Sequence, residues 1–203
     1  MHMRNKKESA ITADALRQAT AIIKEFSDFT LGIRVLQLMQ RKSDGGKCQN
    51  IKIKSVIVKD TLQFKIELAK MIELKDNSSE PLRVYSSACS RNLKKAVRYF
   101  KQCQLDIDYG SDEMFEGLYF HIHSRFVSAL MQTSSKIESF FLLDLDQTDN
   151  TDVLIKLAKL NIAIIKLYPT KQGWHVITQP FNPALFESTN CSIHKNGMLL
   201  LSY

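Results

Sequence analysis

From Ser139 onward the chain carries an order of signals that few folds accept. Residues 139–146 are an apolar run ending in Asp144-Leu145-Asp146. Strand side chains alternate faces, so acids two apart share one face at a strand end. Asp149 or Thr151 then caps a helix to residue 160, and residues 162–170 read as a strand. Gln172-Gly173 makes a tight turn into a strand over 174–180. Asn182 caps a short helix at 183–186, with Pro183 at the favoured first position. Residues 192–203 form the last strand, or a hairpin about Asn196-Gly197. The sum is β-α-β-β-α-β, a ferredoxin-like or RRM-like arrangement. Its first and third strands lie side by side, which brings Asp144 and Asp146 near His175.

The N-terminal portion is less regular. Residues 11–39 read as one or two helices, with Thr12 as a cap, Ala15, Ala19, Ile22, Ile23 and Phe26 at helical spacing, and a break at Gly32. Residues 43–47 are a turn and 51–58 a strand. Asp60 or Thr61 caps a helix to about residue 74, and 76–81 is a polar connection. Residues 82–86 form a strand, Ser90 caps a helix through Phe100, and the acidic stretch 106–117 is a loop. Residues 118–132 read as a short strand and then a helix. The expected fold class is α+β: an N-terminal helical, α/β unit over residues 1–135, packed on an RRM-like module over 136–203 as one compact structural unit.

A chain of 203 residues, 44% hydrophobic, has enough apolar material for a core. No run suits a bilayer span and the charged first residues lack a signal-peptide pattern, so the expected location is the cytoplasm and no membrane partner is expected. Cys48, Cys89, Cys103 and Cys191 have neither CxxC spacing nor the look of a disulfide framework. The net charge of +7 favours a polyanionic partner. Arg91, Lys94, Lys95 and Arg98 cluster on one segment as candidate nucleic-acid contacts, with Arg83 and Lys101 nearby. Trp174 and Tyr168 are candidate base-stacking aromatics. His121 and His123, two apart, would share a strand face, and Arg125 and Lys136 precede the acidic strand.

Two carboxylates with a lysine and a histidine on one sheet face suit a divalent cation and phosphate oxygens. The expected ligands of Mg or Mn are Asp144 and Asp146, and His175, Lys171 and Lys195 are the candidate nucleotide-phosphate contacts. At this point the chain resembles the archaeo-eukaryotic primase superfamily of primases and primase-polymerases. Leu142-Leu143-Asp144-Leu145-Asp146 is similar to its Asp-x-Asp strand. Thr170-Lys171-Gln172-Gly173-Trp174-His175 is similar to its short hairpin leading to a histidine. The resemblance implies metal-ligating acids, a histidine on the nucleotide phosphates, and nucleic acid and nucleoside triphosphates as partners in DNA replication chemistry. Members carry a third acid on a later strand, whereas nothing after Glu187 is acidic and the last strand offers His194-Lys195-Asn196. A catalytically inactive nucleic-acid-binding or regulatory module of the same fold, or a site completed by a partner subunit, is therefore the alternative. A second alternative rests on Asp144-Leu145-Asp146-Gln147-Thr148, which is similar to the Asp-x-Asp-x-Thr motif of haloacid-dehalogenase-type phosphatases. That family also needs a later lysine and acidic pair, and no such pair follows Thr148.

Overall fold

The computed structural model describes residues 14, 16–22, 29, 32–40, 51–108, 111–146, 149–170, 173–186, 191–195 and 197–202. The protein is α+β, built on two four-stranded antiparallel sheets. The chain divides into two compact units, Met1–Ile137 with Leu200–Tyr203, and Glu138–Leu199.

In the first unit β1 (Arg34–Gln40) pairs antiparallel with β2 (Ile51–Val58) and β3 (Leu82–Ser87). The strand order is β2-β1-β3-β8, with β8 at Met198–Ser202. Residues 34–39 had been expected to finish a helix; they are instead the inner strand of this sheet. From Arg34 to Leu38 every residue is buried. A strand covered on both faces has no polar alternation to display, and Leu, Met and Gln there also suit a helix.

Helix α1 (Thr61–Asp76) starts where Asp60 Oδ1 accepts the Gln63 amide at 2.7 Å, while Gln63 Oε1 accepts the Lys59 amide. It lies against β1, β2 and β3 and buries Phe64, Leu68, Met71 and Ile72. Helix α2 (Leu93–Asp108) is capped by Asn92, whose Oδ1 accepts the Lys95 amide, and not by Ser90, which is buried before it. Helix α3 (Asp112–Leu130) occupies much of the stretch expected as a loop and then a short strand, and it is interrupted at His121. Ile33 and Val35 pack with Ala96 of α2 and with Val127 and Leu130 of α3.

The basic cluster divides at Arg91. Its backbone bridges Ile33 on one side and Lys136 on the other, its side chain is fully buried, and Nη1 donates to the Gln132 carbonyl at 3.3 Å. Arg91 thus ties three segments together and leaves the solvent-facing set. Lys94, Lys95 and Arg98 remain exposed along α2. Arg34 plays a comparable part, donating from Nη1 to the Ser87 and Ala88 carbonyls at 2.8 and 3.0 Å. Burial, with Arg91 nearby, lowers the Lys136 pKa from its ordinary value, and Cys89 opposes the shift.

The second unit follows the expected order. It comprises β4 (Phe141–Leu145), α4 (Thr151–Lys159), β5 (Ile164–Pro169), β6 (Trp174–Thr178), a 3-10 turn (Pro183–Leu185) and β7 (Cys191–His194). The sheet order is β5-β6-β4-β7. Asp149 Oδ1 accepts the Thr151 amide at the head of α4, and Asn182 Oδ1 accepts the Ala184 amide at the 3-10 turn. Leu143, Leu145, Val176, Leu157 and Phe186 form the core of this unit. The expected hairpin about residues 196–197 does not form, because β7 and β8 belong to different sheets. Asn196 lies outside the described residues.

Candidate functional site

Register decides what β4 and β6 present. Their antiparallel pairing sets Leu143 against Val176, Asp144 against His175, and Leu145 against Trp174. Leu143, Leu145 and Val176 are core, so Asp144 and His175 point to the opposite face of the sheet. His175 Nε2 lies 3.2 Å from Asp144 Oδ1, with the histidine side chain buried and the carboxylate 41% exposed. The carboxylate of Asp144 is thus reached by solvent while one of its oxygens contacts the imidazole.

The row continues in both directions. On β5, Tyr168 stands opposite His175, and its hydroxyl is 2.9 Å from Nδ1, with the two rings edge to face. On β7, Ser192 stands opposite Asp144. Tyr168, His175, Asp144 and Ser192 thus cross the four strands in one line. Tyr168 is buried, so it is not an open stacking platform; burial, then the Asp144 charge, raises its phenol pKa above the ordinary range.

Asp146 follows β4 as an exposed residue. Both acids act on Cys191, whose thiol is pushed up to about 11 by burial, then Asp144, then Asp146. Two negative charges therefore bear on the strand end at Leu145 and Cys191. Among the described residues no three His, Cys, Asp or Glu side chains gather as a metal cage. Asp144 is 41% exposed and Asp146 is exposed, and magnesium is commonly held by one or two carboxylates with substrate phosphates and water.

Trp174 lies on the core side of β6, partly buried against the Leu143 and Val176 cluster and on the face opposite Asp144 and His175. Lys195 is exposed just after β7. Lys171 lies outside the described residues; of its described neighbours, the Thr170 amide donates to the Gly173 carbonyl at 2.8 Å. His121 and His123 sit on α3 and not on a strand, and His123 Nε2 contacts the Ser55 carbonyl at 3.0 Å. Two residues apart on a helix they do not share a face.

The hydroxyl behind the histidine was missed as a site residue. Its position follows from the β5–β6 register, which sets Tyr168 opposite His175; a turn at Gln172-Gly173, as read from the sequence, would have set residue 177 opposite Tyr168 instead. Compared with known protein families, curated proteins and solved structures, the chain matches none. Among the described residues no helix is long and apolar enough to cross a membrane.

Proposed function

We propose that the second unit is a primase-like, metal-dependent nucleotidyltransferase module acting on nucleoside triphosphates and nucleic acid. The observation that carries this reading is the Asp144–His175 pair at 3.2 Å on adjacent inner strands, with Asp146 next along the chain. The strand order β5-β6-β4-β7 adds support. It corresponds to second, third, first and fourth strands, the RRM-like order, with the second helix shortened to a 3-10 turn.

In this reading Asp144 and Asp146 hold Mg or Mn, which when bound neutralises charge on the transferring phosphate. His175 offers a hydrogen-bond donor to a phosphate oxygen, and Lys171 and Lys195 add positive charge. A 3′-hydroxyl attacks the α-phosphate in line and pyrophosphate leaves. Lys94, Lys95 and Arg98 are the exposed cations proposed to contact nucleic-acid phosphates. The phosphatase alternative gains nothing from the geometry, because a nucleophilic aspartate is weakened by donating its electron density to an imidazole N–H.

The test is incorporation of labelled nucleotides with Mn, with and without a single-stranded template. Wild-type protein is expected to incorporate label, and Asp144→Ala combined with Asp146→Ala to fall to background. Equal incorporation by both proteins sinks the reading. A second reading, a binding module without catalysis, is favoured by Ser192, because β7 presents a hydroxyl where a third acid would face Asp144. It predicts tight single-strand binding with no incorporation by either protein.

A further inference from the structure

The hydrogen-bonding capacity of Tyr168, His175 and Asp144 fixes where their protons sit. A carboxylate accepts and does not donate, so the 3.2 Å contact between His175 Nε2 and Asp144 Oδ1 requires the hydrogen on Nε2. A neutral imidazole then has its lone pair on Nδ1, and the group 2.9 Å from Nδ1 is the Tyr168 hydroxyl. A phenol keeps its proton at neutral pH, and burial together with the Asp144 charge reinforces that. The tyrosine therefore donates. The chain of donors runs from Tyr168 to His175 to Asp144, from the buried side of the row toward the half-exposed carboxylate.

We propose that Tyr168 is the positioning residue that holds His175 as an Nε2–H donor, so that this hydrogen can pass from Asp144 to a phosphate oxygen of a bound nucleotide. The second half of the proposal rests on the nucleotide-binding reading of the site; the tautomer does not. Three features of the geometry hold the ring. Tyr168 and His175 are directly opposite in the β5–β6 register. Their rings meet edge to face at 5.2 Å between centroids, which limits imidazole rotation. Both side chains are buried, so water competes poorly for Nδ1. Without the hydroxyl, hydrogen on Nε2 is favoured only by the contact with the half-exposed Asp144, and the buried Nδ1 loses its donor, so the flipped ring and the other tautomer gain population. Nucleotide arrival also has a consequence for Asp144: once its partner donates to phosphate, Oδ1 is released to a cation.

The test uses the full chain, metal-free and labelled with nitrogen-15 histidine, at a pH where the imidazole is neutral. Two-bond nitrogen–proton correlations then identify the tautomer of His175. Wild type is expected to show hydrogen on Nε2 alone. Tyr168→Phe, which keeps the ring and its packing, is expected to show a mixture, with an otherwise unchanged amide spectrum. Asp144→Asn is expected to keep the wild-type tautomer, because an amide oxygen still accepts. Hydrogen on Nδ1 in wild type, or an unaltered single tautomer in Tyr168→Phe, overturns the proposal.

ATP titration in Mn provides the second readout. Tyr168→Phe is expected to weaken binding about tenfold, the scale of one hydrogen bond. His175→Ala is expected to weaken it at least as much, and the double variant no further than His175→Ala. Additive losses overturn the positioning role. Absence of ATP binding in wild type, with the tautomer still following Tyr168, overturns the nucleotide reading and supports the positioning of His175.

Discussion

Cys191 reports on the acids beside it. Its thiol value rises from 9.0 to about 11, by burial and then by Asp144 and Asp146. The raised value means that the folded chain keeps this proton after the unfolded chain has lost it. The contribution to stability is complete below pH 9 and is lost as pH rises toward 11. Alkylation of Cys191 in metal-free protein, located by mass spectrometry across pH, should therefore show a midpoint well above that of a free thiol. Asp144→Asn with Asp146→Asn should lower it part of the way; a midpoint near 9 in the wild type would contradict the burial of the thiol beside the two acids. The pairing of Asp144 with His175 was legible in the sequence because the β-α-β-β-α-β order sets the first strand beside the third. Tyr168 was not, since its role depends on register across the hairpin and a buried aromatic on a strand ordinarily means packing.

At the scale of elements, β7 offers the most direct way to separate catalysis from binding. Ser192 is exposed and directly opposite Asp144, so Ser192→Asp supplies a carboxylate where the primase-like pattern lacks one. It is expected to tighten Mn binding, seen by calorimetry, and to raise nucleotide incorporation; weaker Mn binding would place residue 192 away from the cation. In the first unit Asp60→Ala removes the cap of α1 and should cost about 1 kcal/mol in urea unfolding. Gly32→Ala is more severe. The added Cβ would clash with Ile137 Cδ1 and sit 2.6 Å from the Arg91 carbonyl oxygen, an overpacking cost of about 1–3 kcal/mol. A variant as stable as wild type would show that this close approach is not maintained. Caps such as Asp60 and Asn182 were readable because the residue that ends one segment also satisfies the first amides of the next. The strand β1 was not, because its burial comes from elements distant in sequence.

Across the whole molecule, charge and connectivity make separate demands. If Lys94, Lys95 and Arg98 contact single-stranded nucleic acid, each neutralised phosphate contributes about 0.7 to the slope of log affinity against log salt. Replacing all three with Gln should then reduce that slope by about 2, and an unchanged slope would remove α2 from the binding surface. The net charge made such a partner readable from composition, but composition had no means to divide the cluster, and Arg91 went inward to serve the backbone of its neighbours. The return of the chain to its first sheet was equally invisible, because a short apolar strand after a Gly carries no mark of which sheet it joins.

That return sets an order of events. The edge of β3 that takes up β8 exists as soon as residues 82–87 are made, yet the strand that covers it, Met198–Ser202, is made only after residues 138–197. During synthesis the early sheet therefore carries an open edge, and unpaired strand edges are where nascent chains capture one another. That interval ends only when residues 198–202 have been made and have paired with β3. A mutation in β8 that delays this pairing would thus surface as aggregation through β3, far from the residue that was changed.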